Sequence, residues 1–150
     1  MHSAHLEPTM AAARDFLARG ITGPLVMLNL IRLREVADYS AHPQLAPAQP
    51  ISGRAAYERY IAHTLPLLRA SGGEILHLGA GGPWLIGPPE ERWDIAMLIR
   101  QASVHSFLAF ADDPAIHAGL GHRSAAAEDT RLLPLADWPM PAHVSAGREP

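Results

Sequence analysis

The sequence contains no cysteine. That excludes a disulfide framework, a thiolate nucleophile and every zinc or iron–sulfur site built on cysteine ligands. Charge is scarce as well. Only 18% of the residues are charged and the net charge is -3, with no basic stripe of the kind that neutralises a phosphate backbone. Nucleic acid is therefore not an expected partner. A membrane is not expected either, because no stretch approaches the roughly 18 uninterrupted apolar residues of a spanning helix. The first twenty residues, MHSAHLEPTMAAARDFLARG, lack a basic start followed by an apolar core. Glu7, Arg14 and Asp15 stand where a secretory signal is hydrophobic. Cytoplasmic residence fits these absences best.

Complete catalytic motifs are missing too. No serine sits in a Gly-x-Ser-x-Gly elbow. Nine histidines invite a metal reading, yet no His-Glu-x-x-His or similar cluster occurs. His117 and His122 are five apart and do not share a helical face, while His2 and His5 fall in a terminus expected to fray. Neither a metal nor a cofactor is expected. Gly79, Gly81 and Gly82 follow a strand-like segment, EILHLG, and suggest a tight turn there. They open onto Pro83 and Trp84 rather than a helix, so the N-terminal dipole that holds a phosphate is lacking.

What is present is a single core's worth of apolar sequence. The chain has 150 residues, 48% of them hydrophobic, and a chain of that length buries about 70% of its unfolded surface. A helix over about residues 8–19 is predicted by Pro8 at its start and Gly20 at its end. The unbroken apolar run Leu25–Ile31 suits a central strand covered on both faces. A long proline-containing loop follows, with Pro43, Pro47 and Pro50. Then Tyr57, Tyr60, Ile61, Thr64 and Leu68 recur at helical spacing, with a kink expected before Pro66 and a stop at Gly72 and Gly73. Asp94–Arg100 is a second apolar strand. Ser103 caps a helical piece, and Asp113 before Pro114 starts another. Thr130–Leu135 is the last strand, confined to a sheet edge by Pro134. One domain is expected over residues 1–135, with a weakly ordered tail over 136–150.

Leaving aside the leading helix, the order strand, helix, strand, strand, helix, strand is the split β-α-β arrangement of α+β, ferredoxin-like domains. In that topology the first and third strands are central, and here these two are the most apolar. Helices on one face of a four-stranded antiparallel sheet leave the other face to be covered, so a homodimer is expected.

Glu7-Pro8-Thr9, GPLVMLNLIRLREVADYS, SGRAAYERYIAHTLPLLRASGGEILHLG, ERWDIAMLIRQ and GHRSAAAEDTRLLPL together resemble an uncharacterised bacterial family with a domain of unknown function. That family lies in the dimeric α+β barrel superfamily. The similarity spans Leu6 to Leu135, and Met27-Leu28-Asn29-Leu30 and Gly121-His122-Arg123 are its more specific parts. It implies a ferredoxin-like protomer whose sheet packs on that of a second copy. It implies no particular reaction. Superfamily relatives include cofactor-free monooxygenases of polyketide quinones, lactone isomerases, haem-handling enzymes and proteins with no known catalysis, and a shared fold does not transfer an activity.

Seven residues stand out as candidates for chemistry. His122 and His63 are candidate acid/base groups, because imidazole titrates near neutral pH. Asn29 is an amide in an apolar strand: it either has a structural hydrogen-bond partner or faces a ligand carbonyl or hydroxyl in a barrel cleft. Arg32 and Tyr39, near the end of the first strand, suit an anionic oxygen and an aromatic or hydroxyl contact. Arg123 either pairs with Glu128 and Asp129 or walls a cavity, and Asp94 either is salt-bridged to Arg92 or joins the same wall. Two functions remain open: a homodimer that binds a small carbonyl-bearing or aromatic molecule, with cofactor-free oxygenase or isomerase chemistry, and a non-catalytic dimeric module.

Overall fold

The computed structural model describes residues 4–141. The elements are α1 (Met10–Ala18), β1 (Leu25–Leu33), α2 (Gly53–Ala70), β2 (Glu74–Pro83), β3 (Arg92–Gln101), α3 (Val104–Asp112), α4 (Pro114–His117), α5 (Leu120–Ala126) and β4 (Ala127–Leu135). The strands form one antiparallel sheet in the order β2-β3-β1-β4. This is the ferredoxin-like α+β arrangement, with β1 and β3 central and β4 at an edge, where Pro134 costs no ladder bond on its outer side. Among the described residues no helix is long and apolar enough to cross a membrane.

Local chemistry sets most of the helix starts. The side chains of Thr9, Ser52, Ser103 and Asp113 each accept a hydrogen bond from a backbone N–H two or three residues on. Each cap satisfies a donor that has no partner within the helix. α2 continues through Pro66, so the expected kink does not end it. The second helical stretch expected after Pro114 is split in two at Ala118 and Gly119, into α4 and α5.

Strand alternation then divides the sheet into two faces. Leu25, Met27, Asn29 and Ile31 of β1 lie opposite Gln101, Ile99, Met97 and Ile95 of β3. Ile31 and Met97 of this face join Ala56 and Tyr57 of α2 and Ala125, Ala126 and Ala127 in the core. Complete burial of a Leu, Ile or Met side chain contributes about 1.5–3 kcal/mol, so this face supplies most of the drive to fold. The other face presents Val26, Leu28 and Leu30, Ala96 and Leu98, and Leu133 and Leu135. No described element covers it, and Leu133 is 52% exposed.

Several expectations change. Gly79, Gly81 and Gly82 lie inside β2, not in a turn. Gly81 is required by closeness, since a Cβ there would fall 2.3 Å from the Trp93 carbonyl oxygen of β3. The turn comes later, where Trp84 Nε1–H donates to Glu91 Oε2 at 3.0 Å. β4 begins at Ala127 rather than Thr130. His5 does not fray: its N–H donates to Asp129 Oδ1 at 2.8 Å and its carbonyl accepts from Thr130 N–H at 3.1 Å. His2 and the tail beyond 141 lie outside the described residues. Residues 136–141 carry no helix or strand.

One end of the uncovered face is a charge network. Arg32 Nε donates to Glu128 Oε1 at 3.0 Å and its Nη2 to Asp129 Oδ2 at 3.4 Å. Arg131 Nη1 donates to Asp129 Oδ1 at 2.8 Å. Asp94 accepts from Leu33 N–H at 2.7 Å and from Arg92 Nε at 3.3 Å. The guanidinium carbons of Arg32 and Arg131 lie 5.5 and 5.0 Å from the Trp93 ring centre, within cation–π range. Asp129 is only 1% exposed. Burial favours its neutral form, but hydrogen bonds from His5, Arg131 and Thr130 outweigh burial and hold its pKa below the usual 3.8.

A depressed carboxylate contributes stability above its unfolded-state pKa, and that stability is lost as pH falls through the folded-state value. Asp129→Asn sets amide protons against existing donors, so a loss of about 3 kcal/mol is expected in urea unfolding at neutral pH. The variant should also lose part of the acid destabilisation expected of the parent as pH falls below 3.8.

Candidate functional site

The loop after β1 returns toward the helices, and backbone bonds fix its path. Arg34 N–H donates to the Ala126 carbonyl at 2.8 Å and Asp38 N–H to the Ala125 carbonyl at 2.9 Å, while Val36 bridges Ser52. Asp38 Oδ1 accepts from Ser40 N–H at 3.0 Å, and the Tyr39 carbonyl accepts from His42 N–H at 2.9 Å. Tyr39 is thus held on both sides and its ring is 8% exposed. Its hydroxyl lies 2.7 Å from His122 Nδ1 on α5, and the two rings meet edge to face with centres 5.6 Å apart.

His63 of α2 completes the corner. Its Nε2–H donates to the Ala115 carbonyl at 2.6 Å, one of the orphan acceptors at a short helix's end. Its ring lies so close to Gly119 that a Cβ there would fall 2.2 Å from His63 Cδ2. Gly121 does the same for His42, whose Cγ would be 2.8 Å from a Cβ. The segment Gly119-Leu120-Gly121-His122 therefore has glycine at two positions because the His63 ring at one, and the Leu45 and His42 side chains at the other, occupy the space of a Cβ.

The electrostatics favour neutral groups. Burial lowers the His122 pKa below 6.5, and the nearby charges of Arg59 and His63 lower it further. Burial raises the Tyr39 pKa above 10.0, with Arg59 partly opposing. Near pH 7 the pair is accordingly a phenol hydrogen-bonded to an uncharged imidazole. When the hydroxyl donates to Nδ1, the imidazole proton sits on Nε2, which can then donate to an oxygen. In the other tautomer Nε2 is a base. The pair can polarise a carbonyl or exchange a proton with it. Among the described residues no group of three His, Asp or Glu side chains is placed to hold a metal ion. A depression of about 360 Å³ lies beside the loop and is walled by Tyr39, Val36, Ala37, Pro47, Pro50 and Ile51.

The seven candidates from the sequence separate into groups. Tyr39, His122 and His63 come together. Arg32 and Asp94 do not join them and are held in the charge network on the uncovered face. Arg123 does not pair with Glu128 or Asp129, which belong to Arg32, Arg92 and Arg131. Its Nη1 donates to the Leu6 carbonyl at 2.9 Å. Asn29 shares the helix-covered face with Met97, so it does not look into a cleft between two sheets. Its Nδ2–H donates to the Met27 carbonyl at 3.2 Å. Two members of the corner escaped the sequence reading: His42, and Arg59, whose only signal was its spacing of four from His63.

A ferredoxin-like sheet with helices on one face and an uncovered apolar face on the other defines the class. The crystal structure of the methylated RPA0582 protein has a TM-score of 0.80 to this chain at 33% identity, over 92% of this chain and 98% of its own. The RPA0582 protein of unknown function from Rhodopseudomonas palustris gives 0.77 and 32%, over 92% and 100%. The chain belongs to the family of that Rhodopseudomonas palustris protein. The resemblance drawn from the sequence, to an uncharacterised family of ferredoxin-like proteins, is thereby borne out. A dimeric protein of unknown function and ferredoxin-like fold from Bacteroides fragilis reaches a TM-score of 0.49 at 14% identity, over 78% of this chain and 99% of its own, and adds nothing to the topology above. No protein-family model and no curated protein matches the chain.

The lowered His122 pKa has a definite sign. Because the unfolded chain takes up the proton first, stability should decline as pH falls below 6.5 and level off once folded His122 titrates. Thermal melts between about pH 5 and 8 should show this slope in the parent and a flatter one in His122→Gln. Tyr39→Phe should cost about 1 kcal/mol in urea unfolding, the usual value of one hydrogen bond.

Proposed function

We propose that the protein is a homodimer, joined through the uncovered sheet faces, that binds a small carbonyl-bearing or aromatic molecule beside Tyr39 and His122. The chemistry is proton transfer of the isomerase or cofactor-free oxygenase kind. The observation that carries this reading is the 2.7 Å contact between the Tyr39 hydroxyl and His122 Nδ1. The neutral imidazole can take up a proton near neutrality, and the phenol, held protonated by burial, serves as a hydrogen-bond donor. The site lies in the helix layer of each protomer and not between the sheets.

The dimer follows from surface chemistry. Val26, Leu28, Leu30, Ala96, Leu98, Leu133 and Leu135 form one contiguous apolar face, and a sheet face of that kind is stable in water only when it is covered. Arg32 and Arg131 at one end of it already have carboxylate partners, so a second copy can approach that end without leaving them unpaired.

The 8% exposure of Tyr39 favours a second reading, a non-catalytic dimeric module in which the Tyr39–His122 bond simply fastens the loop to α5. Native mass spectrometry of freshly purified protein, followed by denaturing conditions, separates the two. The first reading expects twice the chain mass plus a released small molecule, or capture of one from a carbonyl and phenol library that is lost in His122→Gln. A dimer that captures nothing leaves the second reading. Leu133→Arg should give monomers while changing the melting temperature of the isolated protomer little, since this side chain is half exposed there. A parent that is monomeric at micromolar concentration overturns the dimer.

A further inference from the structure

Arg59 and His63 stand one turn apart on α2, at i and i+4, and so share one face of that helix. α2 packs against α5, where His122 meets Tyr39. His63 on that face packs against Gly119, whose carbonyl accepts from His122 N–H at 3.1 Å, so Arg59 stands on the side of α2 turned toward this corner. The acidic groups nearby are engaged elsewhere. Glu58 faces Arg54 at 3.9 Å, and Asp38 accepts from Ser40 N–H at 3.0 Å and lies in the field of Arg34. Among the described residues Arg59 takes part in no salt bridge. His63 has already given its Nε2–H to Ala115. What remains is a permanent cation, an imidazole with one nitrogen uncommitted and a phenol, with no anion among them. Tyr39 also walls the depression of about 360 Å³, whose other sides are mostly apolar.

We propose that this corner binds the carboxylate of a small aromatic acid. Arg59 is its ion-pair partner, His122 Nε2–H is a second donor, and the depression beside Tyr39 takes the apolar body. The inference rests on the reading of Tyr39 and His122 as a ligand site and names the substrate class for it. A guanidinium fork matches the two oxygens of a carboxylate, and a charge-assisted pair at the edge of an apolar hollow distinguishes an acid from its neutral isostere. The tautomer in which the Tyr39 hydroxyl donates to Nδ1 is the one that leaves Nε2–H for the anion. A bound carboxylate also offsets the positive field that now disfavours the imidazolium form of His122.

The test is an NMR titration of the His122 imidazole with benzoate and with benzamide, which share shape and differ in charge, in the parent and in Arg59→Gln. Benzoate is expected to shift the His122 signals and raise its pKa, and to bind about tenfold or more tighter than benzamide. Arg59→Gln should weaken benzoate by about the same factor and leave benzamide unchanged, with the melting temperature confirming the fold. Benzamide binding as tightly as benzoate, or benzoate affinity unaltered in Arg59→Gln, overturns the carboxylate assignment while the ligand site stands. If neither compound perturbs His122, the ligand site itself is refuted and the assignment falls with it.

Discussion

The arrangement depends on one buried carboxylate. Asp129 gathers the His5 and Thr130 N–H groups with the Arg131 and Arg32 guanidinium groups. An unpaired charge at 1% exposure would be prohibitive, so these donors cannot drift independently. Arg32 fixes β4 against β1, and His5 fixes the N-terminal segment against β4. α5 runs into β4 with no intervening loop, since Ala126 ends the helix and Ala127 begins the strand. His122, seven residues upstream of Asp129, is therefore placed by the same anchor that sets the strand register.

Small side chains make the second condition. Ala125, Ala126 and Ala127 are completely buried, and their carbonyls or those of their neighbours receive the loop after β1. A larger residue at any of them would push the loop away and with it Tyr39. Gly119 and Gly121 extend the same logic to the rings of His63 and His42. Interiors are packed at crystal-like density, so two missing Cβ atoms can decide where two imidazoles stand. The 2.7 Å contact of Tyr39 with His122 is a product of that close packing and of the backbone bonds at Arg34 and Asp38.

Apolar pattern carried the fold into plain view in the sequence. The runs at β1 and β3 are the most apolar because both faces of a central strand need cover, and Pro134 marks the edge strand by its missing donor. Glycine was misleading at 79–82, because Gly81 serves close approach to β3 where a turn was the simpler expectation. The site was less legible. His122, His63 and Tyr39 were identifiable as candidates by residue type, but they come from three elements whose meeting depends on α5 lying across α2. Arg32, Asp94 and Arg123 were equally plausible by type. Their engagement with Glu128, Asp129, the Leu33 backbone and Leu6 is set by strand register and by the N-terminal segment, which leave no local trace in sequence. Alternation groups Asn29 with Leu25, Met27 and Ile31, but which face the helices cover could not be read from alternation alone.

The two polar regions differ in a way that divides their roles. At the end of the sheet, arginines and carboxylates are matched in reach and sign, with Trp93 beside two of the guanidinium groups, so the network is complete without any further molecule. Such a network suits a surface that meets another protein surface, since matched charges add register without demanding a ligand. At the corner of α2 and α5 the balance is different: His63 and Tyr39 are engaged with Ala115 and His122, while Arg59 takes part in no salt bridge among the described residues. Binding energy for a small anion is available only where the protein has not already spent its donors. That condition holds for Arg59 and not at the sheet end, which is the physical reason for proposing a ligand in the helix layer and a partner chain on the sheet.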